Sequence, residues 1–144
     1  MERWNLLGSL AGLAIALIVV GVVSGTILRH IVQIVPVVAA AIVVIKRPAA
    51  GAYAALPIFL FWTLIVVLIW LFLLGLSRIA NGHYTTAEII STIVMAASCL
   101  FGAVRAVPIG RRSPIGWRIA LLIGFAVLQF AAMWISFTPS IANR

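Results

Sequence analysis

The chain contains no aspartate, and Glu2 and Glu88 are its only carboxylate side chains apart from the terminus. It has two histidines, His30 and His83, and one cysteine, Cys99. A zinc site wants three or four His, Cys or carboxylate ligands at suitable spacing. Cys99 lies deep in an apolar run, too far from the other candidates to join them, so no metal is expected. One cysteine also precludes an internal disulfide, and in hydrocarbon it reads as a small packing residue. A haem shared by His30 and His83 is disfavoured, because axial ligands project from inside a bundle whereas His83 falls in the Asn81-Gly82-His83 turn. The sequence offers no paired carboxylates, Gly-rich phosphate loop or recognisable nucleophile and base, so neither a cofactor nor catalysis is expected.

Polar surface is equally scarce. Of 144 residues, 65% are hydrophobic, too many for a soluble domain of this size, which needs a polar face on most of its elements. The net charge of +8 would suggest nucleic acid on a soluble protein. Here the basic residues lie at the ends of apolar runs rather than along one amphipathic face, so nucleic acid is not an expected partner. They are topology signals for a single, all-α transmembrane domain.

A spanning helix needs about 20 mostly apolar residues. Residues 4–23, 57–76, 87–104 and 119–137 satisfy this. The segment 27–45 is harder, because Arg29 and His30 lie in its first turn and Pro36 within it. Yet Ser24-Gly25-Thr26 supplies a turn and an N-cap before it, and basic side chains near helix ends snorkel to headgroups. Five spans are therefore expected, with a four-span alternative in which residues 4–45 cross once. Val23-Ser24-Gly25 faintly resembles a signal cleavage site, but the apolar run before it is longer than a signal core, so the first helix is expected to be retained.

Orientation follows from charge. With five spans, Arg3, Lys46, Arg47, Arg105, Arg111, Arg112 and Arg118 share one side, against Arg29, Arg78 and Arg144 on the other, seven to three. The N-terminus is expected in the cytoplasm and the C-terminus outside, in the inner membrane if the source is bacterial. Trp4, Tyr53 and Trp117 then mark the inner interface, and Tyr84 and Trp134 the outer. The basic residues Lys46, Arg47, Arg105, Arg111, Arg112 and Arg118 are candidate contacts for lipid headgroups. Between Arg105 and Arg118, Pro108-Ile109-Gly110 recurs as Pro114-Ile115-Gly116, which predicts two turns presenting a basic tip.

Small residues mark where helices can approach closely. Gly8, Gly12 and Ala16 form a strip on the first span, while Ser98 with Gly102 and Ala120 with Gly124 repeat the spacing on the fourth and fifth. They are expected either to pack the monomer or to meet a partner, with the Gly8-Gly12-Ala16 strip the best candidate contact. The third span, with Phe59, Phe61, Trp62, Trp70 and Phe72, is bulky nearly all round and is expected to face lipid or a partner subunit.

Thr85-Thr86-Ala87-Glu88 has the form of a capping box, which gives Glu88 a structural role rather than a proton-carrying one. The remaining polar residues gather in one leaflet. His30, Gln33, Glu88, Ser91, Thr92 and Gln129 would form an outer cup, with Arg29, Arg78 and His83 nearby, suited to a headgroup, a quinone ring or a small solute. Two functions are compatible with all this. One is a non-catalytic accessory or structural subunit, bound to other membrane subunits or to itself. The alternative is a small transporter or ligand-binding protein using the cup. Pro36 and Pro57 read as lying near span ends, and no internal repeat is evident, so the broken inverted repeats of a transporter are not expected.

Overall fold

The computed structural model describes residues 2–77 and 83–142. Arg78 and Arg144, used in the charge argument, lie outside the described residues. Five of its helices are long and apolar enough to cross a membrane, and among the described residues there is no strand. They are α1 (Glu2–Val23), α2 (Ile27–Lys46), α3 (Pro48–Leu73), α4 (Thr86–Gly110) and α5 (Ile115–Ser136), followed by a single turn, α6 (Pro139–Ala142). The protein is thus an all-α, membrane-embedded bundle with five spans rather than four.

The breaks between helices have local causes. α1 closes on Gly25, whose φ of +69° is open to glycine at no steric cost, and Thr26 N–H reaches back to the Gly21 carbonyl at 2.8 Å. Thr26 does stand at the N-cap of α2, but its hydroxyl does not cap; it bonds Ser24 and His30 instead. Arg47 alone separates α2 from α3. Pro48 opens α3 at its first position, where the missing N–H costs nothing.

Two expected boundaries move furthest. α3 begins at Pro48 rather than Pro57, so Pro57 lies inside the helix. The alanine-rich turns before it propagate the helix, and neighbouring helices shelter the carbonyl that proline leaves unpaired. α4 runs past Arg105 to Gly110 and includes Pro108 near its end. The expected pair of turns is therefore a single short loop, residues 111–114, with Pro114 at the N-cap of α5.

α1, α2, α3 and α4 form a closed ring in which each helix packs on the next and α4 returns to α1. α5 lies outside this ring, seated against α2 and α3. Leu6, Leu10, Leu13 and Leu17 carry the buried stripe of α1, at helical spacing. They meet Ile58 and Phe59 of α3 and Met95 and Cys99 of α4 in one apolar core. α3 is central rather than peripheral: Phe59 is 0% exposed and Trp62 3%. The helix divides by phase: its aromatic residues are buried or half-buried, while the aliphatic Leu60, Leu64 and Val67 face outward. Composition alone could not show that division.

The small residues are largely consumed inside the monomer. A Cβ on Gly12 would collide with the Ser98 side chain, and one on Gly102 would come within 2.5 Å of the Phe59 ring. Ala16 is buried. The Gly8-Gly12-Ala16 strip is therefore not a free partner face, because two of its three members already pack within the ring. Gly8 on α1 and Gly124 on α5 have open space around them, and Ala120 is exposed. Two close approaches escaped the spacing rule, Gly51 against the Val44 backbone and Gly110 against the Tyr53 ring.

At the end of the bundle holding the α2–α3 and α4–α5 connections, Arg112 pairs with Glu2 at 3.0 Å. Arg118 donates to the carbonyls of Ser113 and Arg111, which staples the loop to the start of α5.

Candidate functional site

At the opposite end, all five spans converge on a cavity of about 330 Å³. That volume falls in the range of small-molecule sites. Leu17 and Val20 of α1, Ser24 of the turn after it, Arg29, His30 and Gln33 of α2, Trp62, Ile65 and Ile69 of α3, Glu88, Thr92 and Met95 of α4, and Met133 of α5 line it. Thr26, His83 and Tyr84 complete the mouth, where Ser24 and His83 are exposed.

Each polar group is placed by a local feature. Glu88 is at the third position of α4, and the expected capping box is formed. Thr85 donates both its N–H (2.7 Å) and its hydroxyl (2.8 Å) to Glu88 Oε2, while Glu88 N–H donates to the Thr85 hydroxyl. Among the described residues Glu88 Oε1 has no hydrogen-bond partner, although the side chain is nearly buried at 9% exposure. The capping box thus engages Oε2 and leaves Oε1 outside it.

His30 projects into space left by Gly21 of α1, where a Cβ would lie 3.0 Å from the His30 Cβ. Its Nδ1 lies 3.0 Å from the Thr26 carbonyl and 3.2 Å from the Thr26 hydroxyl. A carbonyl only accepts, so Nδ1 carries the proton and does not serve as a base toward that hydroxyl. In the neutral ring Nε2 is then left as an acceptor. Gln33 donates from Nε2 to Ser136 Oγ at 2.9 Å and contacts Met133 sulfur at 3.2 Å, tying α2 to α5 beside the cup. Thr92 accepts from Trp70 Nε1 at 3.1 Å and donates to the Ile89 carbonyl.

Two N–H donors at the cup have no partner among the described residues. Trp62 Nε1 and Arg29 Nε are both buried and unbonded. A buried donor left unsatisfied costs roughly 1–3 kcal/mol, so each marks a position that favours an incoming acceptor. The Arg29 guanidinium carbon lies 3.7 Å from the centre of the Phe137 ring, which orients that side chain beside the mouth. Tyr84, outside the spans, has its phenol held above the ordinary value, first by burial and then by the Glu88 carboxylate.

Of the six expected cup residues, His30, Gln33, Glu88 and Thr92 line the cavity together. Ser91 does not; it is buried and bonded to the Ala87 carbonyl. Gln129 does not either. It is fully buried with both amide atoms unpaired among the described residues, on the same face of α5 as Ala132 and Ser136. Sequence reasoning missed Trp62, because an aromatic residue in an apolar helix reads as bulk. Its spacing to Ile65 and Ile69 places the three on one helix face and was the available signal. No group of three or more potential metal ligands occurs among the described residues.

No protein-family model matches the chain, and no curated protein or solved structure matches it significantly.

Proposed function

We propose that the protein is a non-catalytic membrane-embedded binding protein whose cup takes a small solute of amino-acid size, a zwitterion or an amide. The observation that carries this is the pair of buried N–H donors, Trp62 and Arg29, without a partner among the described residues, on the same cavity wall as the Glu88 carboxylate. A carboxylate or amide oxygen complements the first two, and an ammonium or amide N–H complements the third. The positive-inside argument would orient the N-terminus to the cytoplasm and open the cup to the outside.

Binding of a panel of amino acids and amino-acid amides to the detergent-purified protein is the test, read by thermal shift and by uptake into proteoliposomes. A raised unfolding midpoint with at least one compound is expected. Trp62→Phe, which keeps the ring and deletes only the N–H, is expected to abolish that shift. Glu88→Gln retains an oxygen for the capping box, so it should fold normally while binding zwitterions at least about tenfold more weakly, the loss of one charge-assisted hydrogen bond. If no compound shifts the parent and Trp62→Phe is the more stable protein, the cup is only a packing defect.

A second reading is an accessory or structural subunit of a larger or homo-oligomeric complex. It rests on Gly124 and Ala120 of α5, small residues on an outward face where no neighbour fills the space. Gly124→Leu should then dissociate a partner or a second copy without altering the solute response.

A further inference from the structure

Every buried residue of α5 lies in its second half, at Gln129, Ala132 and Ser136. The first half has no fully buried residue and borders a wedge of about 680 Å³ between α5 and the α2–α3 hairpin. Its walls are apolar, with Ile42 and Val43 of α2, Ala49 and Ala50 of α3 and Leu121 of α5. Its rim is cationic, with Lys46, Arg47 and Arg112, and Trp117 stands beside them. The three cations are exposed, and Glu2, bonded to Arg112, is the single acid near them.

We propose that this wedge holds one anionic phospholipid, its phosphate among Lys46, Arg47 and Arg112 and an acyl chain along Ile42, Val43 and Leu121. An apolar slot continuous with a basic rim is the complement of that amphiphile. A free phosphate would leave the slot empty, and a zwitterionic lipid would leave the excess of positive charge unmatched. The assignment also divides the basic residues. Lys46 and Arg47 carry the site, with Arg112, already bonded to Glu2, at its rim. Arg118 is occupied by the loop carbonyls, and Arg105 lies against the Phe101 ring on α4, away from the wedge.

The test is native mass spectrometry of the full chain from nanodiscs of phosphatidylcholine containing a minor fraction of phosphatidylglycerol, after progressive delipidation. One phosphatidylglycerol retained per chain, unaffected by excess inorganic phosphate, is the expected result. The double variant Lys46→Gln/Arg47→Gln should lose it by about tenfold or more. Arg105→Gln/Arg111→Gln removes the same charge elsewhere and should retain it. Both pairs are exposed, and elution in size-exclusion chromatography checks that each variant folds. Leu121→Trp, which fills the slot and leaves the rim intact, should displace the lipid. Equal retention of phosphatidylcholine, equal loss in the two double variants, or a second copy of the chain in the wedge would each overturn the proposal.

Discussion

The four-helix ring and α5 solve the same problem by different means. In the ring, helices meet through leucine stripes and through glycines pressed against Ser98 and Phe59. α5 buries only Gln129, Ala132 and Ser136, two of them polar, and is joined to its neighbours by the Gln33–Ser136 hydrogen bond and the edge-to-face pair of Phe61 and Phe130 at 5.2 Å. Lipid is as apolar as leucine, so burial alone gives helices no reason to associate in a membrane. Close backbone approach holds the ring, whereas α5 sits on α2 and α3 with few fully buried residues and with specific polar and aromatic contacts. The cup lies where the two regimes meet, with Gln33 and Met133 at the junction.

The largest expected effect separates the two regions directly. Gly102→Leu forces a side chain into the Phe59 ring, and overpacking of this kind costs about 1–3 kcal/mol or more. Gly124→Leu has open space and should change stability by less than about 0.5 kcal/mol. Thermal unfolding of the two variants in one detergent checks the contrast. If they prove equally damaging, α5 packs as tightly as the ring and the distinction fails.

The α5 seam itself is expected to be improvable. Gln129 is fully buried with its Nε2 and Oε1 both unpaired. Gln129→Met keeps length and volume and removes the unsatisfied amide, so it should stabilise the protein by about 1–3 kcal/mol. A lower unfolding midpoint would show that the amide has a partner, and loss of the solute response together with it would place that partner in the cup.

This contrast also explains what was legible beforehand. The spans were readable because an apolar run with charged ends has few alternatives in a bilayer, and the Thr85–Glu88 box because its four residues carry the whole signal. His30, Gln33, Glu88 and Thr92 could be grouped because helix phase and hairpin direction put polar residues at one end. Nothing in α3 alone says that Phe59 and Trp62 face inward, since bulky apolar residues surround the helix and only the neighbours choose a side. Pro36, which lies inside α2 rather than near its end, and Pro57 and Pro108 misled for a related reason. Proline ends a helix when solvent or another conformation competes, and a sheltered bundle removes that competition. Gln129 was assigned to the cup by its depth, but depth fixes only one coordinate, and the seating of α5 outside the ring supplied the other.

The smallest expected effect lies at the mouth of the cup, where the ring ends. Burial and the Glu88 carboxylate both disfavour the Tyr84 phenolate, so its folded pKa lies above the unfolded 10.0. A phenol raised in the folded state contributes stability that is fully present below pH 10.0 and lost as pH rises through the higher folded value. Tyr84→Phe retains the contact with the Phe72 ring, 6.0 Å between centres, and removes only the titrating group. The parent should therefore lose slightly more stability than the variant on the alkaline side, and the two should run parallel at neutral pH. The difference between their phenolate absorbance titrations isolates Tyr84 from Tyr53 and should show a midpoint above 10.0. A midpoint at or below that value would mean that the mouth is open to water, and that the cup beneath it is wetter than its buried, unpaired donors imply.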